Sequence, residues 1–245
     1  MKLVVLGSNS LGNCYLLETE SEALIIEAGC KLSEVKKALK WKLSKVCGAV
    51  VTHRHKDHAA YVKDFIKAGI TVLALEDVFK EQGITGLSFR KDIKPNKGYI
   101  VGGFKVFAFQ VVHDVPCVGY IIEHSDMGKM LFITDTMMCE YVFEPMNHIL
   151  IEANYADDIL NRRIDNGDIP ASMKPRLIQS HMELGTTKGI LKANDLSDCN
   201  EVVLIHISDG NADESRFVSE VSEVTGLPVY AANAGLEIDL SKNPY

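Results

Sequence analysis

The sequence predicts an α/β protein in which helices pack outside two β-sheets within one domain, residues 1–245. The first half of the chain consists mainly of short apolar runs of strand length, whereas the last third alternates helix-like and strand-like runs. No internal repeat, low-complexity segment or change of composition divides the chain. With 245 residues, 47% of them hydrophobic, it is long enough to bury a large core.

The strands and helices of the first part are predicted from the spacing of apolar residues. The polar segment 7–13 is predicted to be a loop, because Gly7 and Gly12 can adopt a positive φ and serine and asparagine bond to local backbone. Ser33 is predicted to cap the first helix, and the apolar run 45–51 is typical of a strand buried on both faces. The strands are predicted at 2–6, 14–18, 23–27, 45–51, 70–75, 88–93, 99–101, 104–113, 118–124 and 129–134, and the helices at 34–40, 59–69 and 76–82.

The remainder of the chain is predicted to alternate strands and helices, with Gly226 ending the last helix. Its strands are predicted at 147–152, 201–207, 229–231 and 236–240, and its helices at 157–163, 170–179, 186–193 and 213–224. Of two isolated histidines, His124 beside a hairpin turn is expected to be exposed to solvent, and His148 is expected to be structural.

The net charge of −7 argues against a broad electropositive surface and against binding through many phosphate contacts. A local basic strip is compatible with this charge, and the modest basic clusters are Arg162-Arg163 and Lys174-Pro175-Arg176. No apolar run approaches the ~20 residues that cross a bilayer, so no membrane partner is expected. The apolar N-terminal run is too short for a signal peptide, and the six cysteines contain no CxxC pair. A cytoplasmic location with reduced cysteines is therefore expected.

The segment Thr52–His58 carries three histidines and an aspartate directly after the apolar run 45–51. On one helix His53 and His55 would point apart, but where a strand turns into a helix their side chains can converge. Imidazole and carboxylate groups are ligands that zinc and iron accept in proteins. The segment therefore predicts a metal site that includes His53, His55, Asp57 and His58.

Three further polar residues stand where predicted strands meet loops, namely His113, Asp135 and His206. Each residue taken alone is explained equally well as a capping or hydrogen-bonding group. Their repeated position at strand ends, where α/β proteins build their sites, favours one shared site.

The complete pattern resembles the metallo-β-lactamase-fold superfamily of dinuclear metal hydrolases, over essentially the whole chain. The resemblance implies an αβ/βα sandwich, in which two mixed β-sheets pack face to face with helices on the outer faces. It implies two divalent metal ions as cofactors, with zinc as the expected metal and manganese or iron as alternatives. It also implies the ligands, which are His53, His55 and His113 for one metal, Asp57, His58 and His206 for the other, and Asp135 as a bridge between them.

Four shorter segments resemble the YycJ/WalJ exonuclease-like branch of that superfamily, namely Gly7–Tyr15, Glu152–Tyr155, Ser180–Met182 and His206–Ser208. The branch implies phosphodiester hydrolysis through a metal-bridging hydroxide, with 5′→3′ exonuclease activity on double-stranded DNA. A nucleic-acid substrate is therefore expected, with Asp57, Asp135 and His181 as catalytic residues. His181 would contact a phosphate oxygen or protonate the leaving group. The expected substrate contacts are Ser8, Asn9, Ser10, Asn13, Asn154 and His181.

The residues alone leave alternatives open for these weaker segments. The loop 7–13 is explained by a tight turn as well as by backbone N–H groups that bind a phosphate. Asn154 could contact substrate or brace the site, and His181 could be a surface residue at a helix entry. Two positions depart from the pattern of the family: Glu27 stands where an aspartate near the metal ligands is usual, and Ser180–Glu183 replaces Gly-His-Leu-Ser. Glu183 could instead begin a solvated helix before Thr186.

The nearest rival function is hydrolysis of a small ester, thioester, lactone or cyclic phosphodiester at the same site. The acidic net charge and the lack of a basic strip interleaved with aromatic residues favour it. A redox module with two irons and a structural regulator are rivals from other classes. The sequence leaves the oligomeric state open.

Overall fold

The computed structural model describes residues 1–242 and contains two seven-stranded β-sheets with helices outside them. The last three residues of the predicted domain, 243–245, lie outside the described residues. The strands are β1 (Lys2–Asn9), β2 (Gly12–Glu18), β3 (Ala23–Ile26), β4 (Val46–Val51), β5 (Val72–Ala74), β6 (Arg90–Asp92), β7 (Lys97–Val101), β8 (Phe104–Val111), β9 (Cys117–His124), β10 (Gly128–Ile133), β11 (His148–Glu152), β12 (Glu201–Ile205), β13 (Val229–Ala231) and β14 (Glu237–Asp239).

Eight helices and two 3-10 turns, Leu43–Lys45 and Ala171–Met173, connect these strands within residues 1–242. None of these helices is both long and apolar enough to cross a lipid bilayer. The helices are α1 (Leu32–Ala38), α2 (Lys56–Ala59), α3 (Val62–Lys67), α4 (Glu76–Glu81), α5 (Asp157–Asp165), α6 (Lys174–Ser180), α7 (Leu184–Ala193) and α8 (Glu214–Thr225).

Both sheets are mixed, with the strand orders β14-β1-β2-β3-β4-β5-β6 and β13-β12-β11-β10-β9-β8-β7. In the first sheet β1 and β2 are antiparallel whereas β3 and β4 are parallel, and in the second β9 and β10 are antiparallel whereas β10 and β11 are parallel. Parallel strands buried on both faces are apolar throughout, which is why β4 and β12 read as continuous apolar runs. The predicted fold class, an αβ/βα sandwich of two mixed sheets, is confirmed.

The main core lies between the two sheets, where apolar side chains of both inner faces are buried. The rings of Tyr15 and Phe132 meet across it edge to face, with 5.4 Å between their centroids. The Tyr120 hydroxyl donates a hydrogen bond of 2.7 Å to the carbonyl oxygen of Val51, joining β9 to the end of β4. A second core packs the outer face of the second sheet against helices, for example through Phe217 of α8. Together these two cores fix the ends of the strands relative to one another.

The structure corrects three local predictions. The segment 7–13 is mostly strand, because β1 runs to Asn9 and β2 begins at Gly12, and only residues 10 and 11 form the turn. Gly7 serves close packing, because a Cβ there would lie 2.8 Å from Cys30 Sγ. Ser33 lies inside α1, whose N-cap is Lys31, and its hydroxyl bonds Glu34 instead.

The prediction for His124 is also wrong, since its side chain is buried and its Nε2 lies 3.1 Å from Glu22 Oε1. The predicted hairpin turn is present between β9 and β10, but the ring packs against Phe104, with 4.7 Å between the ring centroids. His148 is buried and contacts Glu201 and the carbonyl oxygen of Met127, which agrees with the structural role expected for it.

Candidate metal centre

The polar residues predicted for the site converge at one end of the sandwich, where strands of both sheets finish. His53 and His55 follow β4, and His113 follows β8. Asp135 and His206 follow β10 and β12, which belong to the second sheet like β8. The chain turns from β4 into the short helix α2, which carries Asp57 and His58. Every one of these side chains is therefore held by the end of a packed strand or by the turn of helix after it.

His53, His55 and His113 form a first group whose ligand atoms all lie within 4.8 Å of one another. His113 Nε2 is 3.2 Å from His55 Nδ1, and the two ring centroids are 4.9 Å apart. Asp114 lies at the rim of this group, with one carboxylate oxygen 3.1 Å from His113 Nε2. Three imidazole nitrogens converging in this way match the donor set that zinc accepts.

Asp57, His58 and His206 form a second group beside the first. Asp57 Oδ2 is 3.1 Å from His206 Nε2 and 3.3 Å from His58 Nε2. Asp135 stands between the two groups, because its Oδ2 is 2.9 Å from His58 Nε2 and it forms a further ligand group with His53 and His58. The structure thus brings together all seven residues predicted as metal ligands.

Glu152 is a member of the cluster that sequence reasoning missed. It is completely buried at the end of β11 and forms a group with Asp135, His181 and His206. Its Oε1 is 2.8 Å from His181 Nδ1 and 3.5 Å from His206 Nδ1. The available signal was a carboxylate that ends an otherwise apolar strand, which is the same signal that identified Asp135.

The electrostatic environment differs between the two groups. Burial lowers the pKa of His53 well below its ordinary value and that of His113 to about 4, so both are neutral at neutral pH. Burial would also lower the pKa of His58, but the charges of Asp135 and Glu27 outweigh it and raise that pKa. Burial would raise the pKa of Asp135, yet the charges of His206 and His58 hold it well below its usual range. The second group is therefore balanced by carboxylates, whereas His53 and His113 of the first group are uncharged imidazoles.

Three buried residues of the site have a left-handed backbone, which side chains other than glycine adopt at a cost of about 1–3 kcal/mol each. They are Glu27 with φ 68°, Asp135 with φ 49° and His206 with φ 52°. Glu27 and His206 directly follow β3 and β12, and Asp135 lies two residues after the end of β10, so the chain turns sharply at these strand ends. Such strain is tolerated where the surrounding packing fixes a side chain in a required direction.

The residues present fit a metal ion. His53 Nε2, His58 Nδ1 and His113 Nδ1 are buried atoms without a hydrogen-bond partner within residues 1–242. Buried polar atoms are normally paired, so an imidazole nitrogen such as His53 Nε2, which is buried without a partner among the described residues in a group with Asp135, fits the ligand of a cation. This donor set of imidazoles and carboxylates suits a divalent metal ion.

The residues predicted to contact substrate divide into two sets. Ser10, Asn154 and His181 line a cavity of about 580 Å³ in front of the metal centre, whereas Ser8, Asn9 and Asn13 do not. The Ser8 hydroxyl accepts a hydrogen bond of 2.9 Å from the N–H of His206, and Asn13 Nδ2 is 3.1 Å from His58 Nε2. Asn9 Oδ1 accepts from the N–H of Leu11 in the hairpin turn.

The two departures from the family pattern also have defined contacts. Glu27 is buried, accepts from the N–H of Thr52 at 3.3 Å and lies 3.4 Å from His58 Nδ1, so it lies beside the metal centre as expected. Glu183 is the N-cap of α7 and accepts from the N–H groups of Gly185 and Thr186. Ser180 lines the cavity next to His181.

His181 is held in the cavity wall by Glu152. Its Nδ1 bonds Glu152 Oε1 and lies 3.4 Å from Asp135 Oδ1. Burial would lower the pKa of His181, but the charge of Glu152 raises it to about 9. Burial and the charge of Asp135 raise the pKa of Glu152 in turn. The cavity is further lined by Lys56, Asp57, His55, His113, Asp135, Ser172, Met173, Arg176, Leu177, Ser208 and Asn211.

Comparisons with known proteins agree with this geometry. The sequence profile described as the metallo-beta-lactamase superfamily matches residues 8–139. The chain is 27% identical over 245 residues to an exodeoxyribonuclease YycJ of Bacillus anthracis, covering 92% of this chain and 90% of the relative. It is 26% identical over 205 residues to an exodeoxyribonuclease WalJ of Streptococcus pneumoniae, covering 77% and 74%. The crystal structure of the metallo-beta-lactamase fold protein YhfI from Bacillus subtilis superposes with a TM-score of 0.74 at 18% identity, covering 97% of this chain and 99% of that one.

Proposed function

The chain belongs to the metallo-beta-lactamase superfamily of metal-dependent hydrolases, and we propose that it hydrolyses phosphodiester bonds in nucleic acid with two divalent metal ions. The observation that carries this proposal is the pair of ligand groups that meet at Asp135. His53, His55 and His113 would hold one ion, Asp57, His58 and His206 the other, and Asp135 would contact both. Zinc is the metal proposed, because imidazole nitrogen is the commonest donor in the set, and manganese or iron are its alternatives.

Bound divalent metals would supply a nucleophile at neutral pH and Lewis-acid stabilisation of the negative charge that develops on phosphorus-bound oxygens. The protein's own residues would fix the donors before substrate arrives. Ser8 accepts from the backbone N–H of His206. Asn13 and Glu27 contact the ring of His58, and Asn154 contacts the ring of His206. Such contacts orient the imidazole rings and are a regular feature of metal sites.

His181 would act on the substrate directly. Because Glu152 occupies its Nδ1, its Nε2 is the atom that would donate to a phosphate oxygen or give a proton to the leaving alkoxide. Half-exposed in the wall of the cavity, the ring can meet a bound substrate. Glu152 would serve as a positioning residue that holds the ring and stabilises its protonated form.

Two positively charged side chains in the wall of the cavity support the proposal of an anionic substrate. Lys56 and Arg176 line it, and neither has a carboxylate within salt-bridge distance among residues 1–242. Arg54, two residues before Lys56, is by contrast paired with Asp77 and Glu81. An unpaired cation beside a site rich in carboxylates favours binding of a phosphate group over a neutral ester.

The relatives named as exodeoxyribonucleases support nucleic acid as the substrate class, since they match over most of the chain. The rival is a small ester, thioester, lactone or cyclic phosphodiester, which the net charge of −7 favours. A cytoplasmic location is part of the proposal and is supported by the six cysteines, all of which are free.

A substrate panel tests the proposal. Purified protein supplemented with Zn²⁺ or Mn²⁺ is offered 5′-labelled duplex DNA, single-stranded DNA, RNA, bis-p-nitrophenyl phosphate, a lactone and a thioester. Cleavage of the nucleic acids, together with loss of that activity in Asp135→Asn, is the expected result. Turnover of an ester with no turnover of any phosphodiester would overturn the proposal in favour of its rival.

A further inference from the structure

One wall of the cavity differs in chemistry from the metal centre opposite it. Helix α6 continues directly from the 3-10 turn Ala171–Met173, so residues 171–180 form one helical run. Met173, Arg176, Leu177 and Ser180 of this run all line the cavity. Their spacing of three and four residues places them on a single helical face. That face borders the cavity across from the metal centre.

The apolar part of this face is not explained by core packing. Met173 is 53% exposed, and Ser180 is the only buried residue of α6. Leu177 is half-buried and lines the cavity next to Met173, one helical turn further along. Exposed apolar side chains that are rimmed by polar groups in a cavity indicate a binding surface.

The groups around the apolar pair restrict what can occupy it. Arg176 lies on the same face and, among residues 1–242, has no carboxylate within salt-bridge distance, whereas the arginine of α8, Arg216, is paired with Asp158. Ser10 and Asn211 offer polar groups across the cavity. A ligand that suits the whole surface combines a flat apolar part with a negative charge, and a nucleotide has both.

We propose that Met173 and Leu177 bind the base of the nucleotide whose phosphodiester bond is cleaved. This inference rests on the proposed function and deepens it, because it names the part of the substrate that the protein recognises besides the phosphate. The phosphate enters the metal centre, Arg176 neutralises charge beside it, and the base lies against the two apolar side chains of the helical run 171–180. Recognition through an apolar wall accepts any base, since each base has an apolar face.

The test compares two chromogenic esters with the same leaving group, thymidine 5′-(p-nitrophenyl phosphate) and methyl p-nitrophenyl phosphate. Only the first has a base. The variant is Met173→Ala combined with Leu177→Ala, and the matched control is Leu87→Ala combined with Val142→Ala, two residues that are 78% and 71% exposed outside the cavity. Values of kcat/KM are measured for each protein on both esters, and circular dichroism verifies that the variants are folded.

The wild type is expected to prefer the thymidine ester, and the cavity variant to lose about tenfold in kcat/KM on that ester alone, mostly through KM. The control variant should keep the preference. An equal loss on both esters would show that α6 only supports the metal centre, and a wild type without preference would show that no base is bound; either result overturns the inference. A wild type that cleaves duplex DNA but neither ester would show that the base of a single nucleotide is not recognised and would also overturn the inference, whereas a wild type that cleaves neither DNA nor ester would overturn the proposed function.

Discussion

Single residues of the metal centre are arranged by buried carboxylates. Asp135 follows β10 and Glu152 ends β11, adjacent parallel strands of the second sheet, and both residues are almost completely buried. Asp135 directs His58, and Glu152 directs His181 and His206. A buried carboxylate without a partner would destabilise the folded protein. The histidines therefore stabilise these two carboxylates, and the carboxylates in turn orient the histidine rings.

The role of His181 can be tested through the leaving group. An alkoxide needs a proton as it departs, whereas p-nitrophenolate does not. His181→Ala is therefore expected to slow cleavage of a dinucleotide by about 10²–10⁴-fold and to affect a p-nitrophenyl ester far less. Gln179→Ala, an exposed position on the preceding turn, is the control. Equal losses on both substrates, measured as kcat, would mean that His181 donates no proton to the leaving group.

At the scale of elements, the junction between β4 and α2 depends on a close backbone approach. The N–H of Gly29 donates to the carbonyl oxygen of Asn13, and the N–H of Ala28 donates to the carbonyl oxygen of His58. A Cβ on Gly29 would collide with the carbonyl oxygen of Asp57 and lie 2.6 Å from the N of Asn13. The helix that carries Asp57 and His58 therefore rests directly on the segment after β3.

Gly29→Ala is expected to shift α2, to destabilise the protein by about 1–3 kcal/mol and to lower its metal content. Gly86→Ala is the matched control, since nothing lies within 4 Å of a Cβ there. Thermal unfolding and elemental analysis measure the two effects. A Gly29→Ala variant with unchanged stability and metal content would contradict the contact described between Gly29 and α2.

The same elements show which parts of the fold and of the site can be predicted from the sequence. The strands β4, β10 and β12 are predictable because continuous apolar runs bury both faces, and the polar residue after each run identifies the site end. The extended course of residues 7–13 is not predictable in this way, because the close approach of Cys30 to Gly7 and of the Gly29 backbone to Gly12 requires the glycines there, and these contacts join separate parts of the chain. The buried position of His124 was missed for the same reason, since its partner Glu22 lies far away in sequence. Glu152, by contrast, carried the same signal as Asp135, a carboxylate at the end of an apolar run.

At the scale of the whole molecule, the two sheets are also joined at the end opposite the metal centre. Glu22, which precedes β3, accepts from the N–H of Gly103 at 2.8 Å and from the Cys47 thiol at 3.0 Å. His124 at the end of β9 lies 3.1 Å away through Nε2, and its Nδ1 accepts from the N–H of Asp126. Nε2 therefore carries the hydrogen and donates it to Glu22.

These hydrogen bonds make the stability of the protein depend on pH. The bonds from Gly103 and Cys47 hold the pKa of Glu22 below its ordinary value. Because the folded-state pKa is lowered, the stabilisation is present above the unfolded-state pKa of about 4.3 and is lost as the pH falls through the folded-state pKa. Glu22→Gln should lower the free energy of unfolding by about 1 kcal/mol at neutral pH.

Urea denaturation of Glu22→Gln and the wild type, with Glu20→Gln as the control in the same turn, measures this difference from neutral pH down to the acid range. The two curves are expected to converge as the pH falls. A difference that stays constant down to the lowest pH would mean that the ionised carboxylate does not join the sheets.

The central claim is that the ends of both sheets together hold two divalent metal ions. Elemental analysis of the purified, folded protein, expressed as metal per chain, tests it most directly. The expected result is close to two divalent ions per chain, zinc first, with a marked loss in Asp135→Asn, whose carboxylate stands between the two ligand groups. A stable, folded preparation that contains no metal and takes up none on addition of Zn²⁺ or Mn²⁺ would contradict it.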